Sequence, residues 1–189
     1  MQSGVNQAGR TEKVQIQLPE GINLTRVTDR SLNDMLLSGD IDAALAARPP
    51  IAFSDGQGKV KRFFDNSREV EAAYYRETGI FPIMHVIAVR KEILDAHPWV
   101  ARNLFTAFDE ARRCSIERVL DLTASQVPIP WGNDYAREGQ ALMGKDFFSY
   151  GIEPNRKTLD AFLAYAFEQG VCEKRLTAEE FPEAIAERI

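Results

Sequence analysis

His85 and His97 are the only imidazoles in the 189-residue chain, so acid–base chemistry near neutral pH narrows at once to two positions. His85 sits inside an apolar run, FPIMHVIAV at 81–89. A ring there either satisfies both nitrogens within a core or faces a cleft as a proton donor, and the run leaves both readings open. His97 precedes Pro98 at a helix start and reads as a capping or solvent-exposed residue. Arg48 follows a short apolar run, IDAALAA at 41–47, and precedes two prolines. At the end of a strand its planar guanidinium could grip a carboxylate with two parallel hydrogen bonds; a surface ion pair is the alternative. Arg76 and Arg90 lie on either side of the apolar run, and one of them could form such a surface pair. Tyr74 and Tyr75 could stack on an aromatic ligand or roof a core.

Other chemistries lack their signatures. No G-x-G-x-x-G, P-loop, G-x-S-x-G or H-E-x-x-H pattern occurs, and the glycine-rich FSDGQG at 53–58 is too loose to cradle phosphate. Cys114 and Cys172 are far apart and outside any C-x-x-C arrangement, which points to small residues in helical segments rather than a zinc cage or disulfide framework.

The elements that must position these residues read as an α/β chain. Residues 1–13 form a polar leader with nothing to pack. VQIQL at 14–18 and INLT at 22–25 alternate as short strands around a Pro-Glu-Gly turn. A short helix is expected from Asp29 or Arg30 to a stop at Gly39. Residues 81–89 are the strongest strand candidate, β-branched and continuous, with Pro82 at an entry position. Pro98 opens a helix whose apolar residues, from Val100 through Leu104 and Phe108 to Leu122, recur every three to four positions. VPIPWGND at 127–134 carries two prolines and a glycine and cannot be a regular element. Asn155 or Thr158 opens a further helix stopped by Gly170, and TAEE at 177–180 has capping-box spacing before a short terminal helix.

Composition bounds the partners. Lys and Arg number 23 against 28 Asp and Glu, a formal charge of −5, which argues against a nucleic-acid surface. No apolar run is long enough to span a membrane, and the first residues do not read as a secretory signal, so a cytoplasmic location is expected.

Residues 71–85, EAAYYRETGIFPIMH, followed by Arg90 and by HPW at 97–99, resemble the 4,5-dihydroxyphthalate decarboxylase family. So do GRTEK at 9–13, LLSGDIDA at 36–43 with ARP at 47–49, and TLDAFLAYAFEQG at 158–170. The resemblance implies a two-lobed fold like the type II periplasmic solute-binding proteins, with a ligand cleft between α/β lobes. On that reading residues 1–78 supply the rest of the second lobe. Residues 79–189 supply a crossing strand and a C-terminal helical return to the first lobe, most of which the chain lacks. The activity implied is that of a carboxy-lyase: carbon dioxide is lost from a hydroxylated aromatic dicarboxylic acid without a redox cofactor.

Residue types then suggest roles within that implied reaction. His85 would donate the proton or orient a phenolic hydroxyl. Arg48 would clamp a carboxylate, with Arg76 second, while Tyr74 or Tyr75 would hydrogen-bond a ring hydroxyl and Thr78 make a minor contact. A divalent metal clasping the catechol oxygens is conceivable, although the sequence shows no cluster of ligands for one. The expected partner is a small aromatic carboxylate, with a homo-oligomer as one way to complete the cleft. A non-catalytic, receptor-like binder of such a ligand is the alternative.

Overall fold

In the computed structural model of the protein, residues 1–9, 18, 20–123 and 127–180 are described. The chain divides into two units, Met1–Glu71 with Glu168–Glu173, and Ala72–Phe167 with Lys174–Ile189.

The first unit is organised around α1 (Leu32–Ser38), whose ends follow from sequence chemistry. The Ser31 hydroxyl accepts from the Asp34 N–H while the Asp34 carboxylate accepts from the Ser31 N–H, a reciprocal cap. Gly39 closes the helix at φ 78°, a left-handed conformation that glycine adopts without a Cβ penalty. Leu32 and Met35 point into the core beside Ala52 of α2 (Ile51–Ser54). The Asn33 side chain ties the two helices by accepting from the Ala52 N–H at 2.9 Å.

The leader expected to lack packing is, over its described part, held in place. Gln2 pairs by backbone hydrogen bonds with Thr25 and Val27, and the carbonyls of Gly4 and Val5 accept from the N–H groups of Leu32 and Asn33. Asn6 completes the arrangement: its amide donates to the Pro49 carbonyl, and its side-chain oxygen accepts from the Ile51 N–H.

The second unit is built on α5 (Trp99–Leu120), which packs against α4 (Lys91–Ala96) and α6 (Gly132–Met143). Arg112 of α5 is mostly buried and binds Asp109, Asp146 and the Phe148 carbonyl, so one guanidinium fixes the 146–148 turn to the helix. In the same region Tyr150 stacks obliquely on Phe105 at 4.9 Å. Burial, and then the charge of Asp109, pushes the Tyr150 phenol above its ordinary pKa. A 3-10 turn at Glu153–Asn155 leads into α7 (Arg156–Glu168), whose Leu159, Leu163 and Ala166 recur on one buried stripe. The last described residues carry half of the expected capping box, since Glu180 accepts from the Thr177 N–H at 3.1 Å. The terminal helix expected beyond it lies outside the described residues.

The α/β, type II periplasmic-binding-protein-like, two-lobed expectation is overturned. Among the described residues there is no strand or sheet; the one extended pairing is an isolated parallel bridge between Gln2 and Arg26. Residues 22–25, 41–47 and 81–89 carry no regular structure, and the strand expected at 14–18 lies, apart from Leu18, outside the described residues. The physical reason is pairing. A strand needs neighbours for its N–H and C=O groups, and apolar patterning alone cannot supply them.

Helix content was also underread. α3 (Ser67–Thr78) was not expected; none of its residues is fully buried, and Val70, Ala72, Tyr75 and Thr78 are half-buried along it. α6 begins within 127–134, immediately after Trp131, which caps it at φ 59° in the left-handed region. Cys114 lies on α5, but Cys172 falls past the end of α7; both thiols are free and half-buried.

Candidate functional site

Five of the six residues singled out for chemistry lie within twelve positions, on the end of α3 and the run that leaves it. Tyr74, Tyr75, Arg76 and Thr78 occupy the last turn and a half of α3. Tyr74 is exposed and Tyr75 half-buried, consistent with one ring open to a ligand and the other packed. The Thr78 hydroxyl donates to the Tyr74 carbonyl at 2.7 Å and accepts from the Ile80 N–H at 3.1 Å. Those two bonds commit it to shaping the helix end. Gly79, at φ 65°, donates its N–H to the Tyr75 carbonyl at 2.7 Å and turns the chain out of the helix.

From that turn the chain runs through residues 81–89 to Arg90, which caps α4. Phe81 meets Phe148 edge-on at 6.4 Å, against the turn that Arg112 holds. His85 follows, exposed. The open choice between a core histidine and a cleft-facing one therefore falls on the side of exposure, although no strand carries it.

Sequence reasoning missed one cation. Lys157, in the first turn of α7, brings its Nζ to 3.4 Å from the point that a Cβ on Gly79 would occupy. A lysine in a helix's first turn opposes the helix dipole. Unlike its neighbour Arg156, which pairs with Glu153 and with Glu179, it has no carboxylate among the described residues. Arg76 and His85 are likewise without a side-chain partner there. The end of α3 carries Tyr74 and Arg76, two apart and therefore on different helix faces, with the Lys157 ammonium beside Gly79 and an imidazole six residues beyond it. No spacing rule links residues 79 and 157, so nothing in the sequence signalled the pairing.

Arg48 belongs to the other unit. It is exposed and follows an irregular segment, so the strand-end argument for it as a carboxylate clamp no longer applies. His97 ends α4 and tilts against Trp99 at 6.0 Å.

A surface depression of about 260 Å³ lies elsewhere, lined by Cys114, Glu117, Arg118 and Asp121. None of the sequence candidates lines it, and two of its four walls are acidic, which disfavours a dicarboxylate ligand. Among the described residues no three His, Cys, Asp or Glu side chains converge as metal ligands. Nor is any helix among them long and apolar enough to cross a membrane.

Comparison with known proteins supplies the family. No family model matches the chain. A 4,5-dihydroxyphthalate decarboxylase of Comamonas testosteroni is 34% identical over 181 residues, which is 95% of this chain and 55% of that protein. A protein of the same name from Pseudomonas putida is 29% identical over 77 residues, 40% of this chain and 30% of that one. The chain spans about half the length of the first of these relatives and matches a smaller share of the second. Over the residues it spans, the chain belongs to the 4,5-dihydroxyphthalate decarboxylase family.

Proposed function

We propose that the chain takes part in the non-oxidative decarboxylation of a hydroxylated aromatic dicarboxylic acid such as 4,5-dihydroxyphthalate. The observation that carries the proposal is the match to a protein of that name along 95% of the chain. The residue types at and beyond the end of α3 suit that chemistry.

The reaction itself needs little from a protein. A ring hydroxyl para to the departing carboxylate pushes electron density into the ring, the ipso carbon accepts a proton, and carbon dioxide leaves with the ring–carboxylate bond broken. Aromaticity returns in the same step. The protein must hold the carboxylates, deliver the proton, and keep water from solvating the leaving group. Among the described residues Arg76 and Lys157 have no side-chain partner, and they are the candidate cations for the carboxylates. Tyr74 can hydrogen-bond a ring hydroxyl. His85 delivers the proton, a role suited to an imidazole that no protein group engages.

Carbon dioxide release from 4,5-dihydroxyphthalate by the purified chain, with and without an added divalent metal, is the direct test. Release above that of a His85→Gln variant supports the reading. Binding of the acid by calorimetry without release would instead indicate a receptor-like role. Neither binding nor release by the folded chain would remove the proposal for the chain acting alone.

A further inference from the structure

The exit from α3 is touched twice by one stretch of the same unit. Phe148 meets Phe81 edge-on at 6.4 Å, and Lys157 brings its Nζ to 3.4 Å from the Cβ position of Gly79. Residues 148 and 157 bracket a segment whose internal ties are polar and specific. The Asn155 amide donates to the carbonyls of Ser149 at 3.2 Å and Gly151 at 2.8 Å, while its oxygen accepts from the Ser149 hydroxyl at 3.0 Å. One side chain thereby joins the Phe148 end of the segment to the start of α7, where Lys157 stands.

The segment is attached to α5 by the Phe105–Tyr150 ring contact and by Arg112. The Arg112 guanidinium is anchored on its own helix by Asp109 at 2.7 Å. It also binds Asp146 and, at 3.0 Å, the Phe148 carbonyl. Charge-assisted bonds from a planar, mostly buried fork are strong and directional, so they fix orientation as well as distance. A lysine is the opposite case: its stem is flexible, and its charge is placed only as well as the helix that carries it. A misplacement of about 1 Å is enough to weaken a site.

We propose that Arg112 is a positioning residue. By fixing Asp146 and Phe148 it sets where residues 146–157 lie against the α3 exit, and so holds the Lys157 ammonium beside Gly79 to meet a carboxylate of the aromatic acid. The ligand in this proposal rests on the decarboxylase reading, whereas the mechanical link from Arg112 to Gly79 does not.

Two variants of the full chain test it, Arg112→Met and Asp146→Asn. The second removes one exposed carboxylate and leaves Arg112 bound to Asp109 and to the Phe148 carbonyl, so it keeps the fold even if the first does not. The first readout needs no ligand. In amide 1H–15N spectra the resonances of Gly79, Ile80 and Phe81 should shift or broaden together with those of 146–148. Changes confined to 109–112 and 146–148 would overturn the proposal. The second readout is KM for the aromatic dicarboxylate, or its calorimetric Kd if the acid binds without turnover. It should rise at least about threefold, with kcat changed less. Made on Lys157→Met, the same substitution should add nothing, because no ammonium is left to place. An equal rise in both backgrounds would also overturn the proposal, since residues that act independently are additive. A folded chain that neither binds nor turns over the acid would remove the decarboxylase reading alone, and the amide spectra would still decide the positioning.

Discussion

Lys157 and Gly79 meet across the second unit: the lysine Nζ lies 3.4 Å from where a Cβ on the glycine would stand, and its Cδ lies 3.7 Å away. The glycine is also in the left-handed region, at φ 65°. Two costs therefore fall on any side chain at position 79, one from the backbone and one from the lysine. The lysine's end is flexible and yields easily, so the backbone cost decides. Gly79→Ala should destabilise the protein by about 1 kcal/mol, read as a lowered midpoint in urea by far-UV circular dichroism. An unchanged midpoint would mean that the turn after α3 relaxes without cost.

The same pairing makes Lys157 a test of the proposed site. Lys157→Met keeps the length of the side chain and removes its charge. A charge-assisted hydrogen bond contributes roughly 1.5–3 kcal/mol, so KM for the aromatic dicarboxylate should rise about tenfold or more. Stability should not fall, since the ammonium has no carboxylate partner among the described residues and opposes the dipole of α7. An unaltered KM would take Lys157 out of the site.

His85→Ala should abolish turnover in an active assembly and leave the unfolding midpoint within about 0.5 kcal/mol of the parent, the range usual for surface substitutions. The imidazole is exposed and unbonded, so no folded-state interaction is lost. Retained carbon dioxide release would remove His85 from the mechanism.

Asn133 has a structural part to test. Its amide donates to the carbonyls of Val119 at 2.8 Å and Asp121 at 2.7 Å, satisfying acceptors at the C-terminus of α5. Asn133→Ala strands both and should cost about 1–3 kcal/mol. Asn133→Asp should cost more, because it turns an acceptor towards two carbonyls. A midpoint for Asn133→Ala equal to the parent's would show that the hydrogen bonds contribute nothing.

Acid sensitivity follows from three exposed carboxylates. The Ser31 hydroxyl holds Asp34 below its usual range, the Ser38 hydroxyl and then Arg30 lower Asp40, and Lys174 lowers Glu180. A carboxylate whose pKa is lower folded than unfolded adds stability above its unfolded pKa, about 3.9 for Asp and 4.3 for Glu. That stability is lost as pH falls through the folded value. Thermal midpoints should hold steady from neutral pH to about 5 and drop below about 4. A midpoint that rose on acidification would contradict the assignment.

What was legible in the sequence was mostly punctuation. Gly39 stops α1 and Pro98 opens α5 as expected, because such breaks are local chemistry that needs no tertiary partner, whereas α1 starts after the Ser31 cap and not at Asp29 or Arg30. The family block around Tyr74 and His85 was legible only as a resemblance in sequence. Strands were not, because β-branched residues at 81–89 state a preference that only a neighbouring chain can satisfy. α3 was missed because SREVEAAYYRET sets few strongly apolar residues among its charged ones. The meeting of Lys157 with Gly79 joins positions 78 residues apart and leaves no local trace.

Trp131, with its left-handed backbone, is 73% exposed, and Trp99, the chain's other tryptophan, is 62% exposed. Both indoles already sit in water when the protein is folded. Their emission should therefore lie near the red limit in the native state and shift little on denaturation. Intrinsic fluorescence will be nearly blind to unfolding, and for that reason it becomes an optical reporter of whatever covers either indole, the start of α5 or the cap of α6: a blue shift would register contact against a constant background.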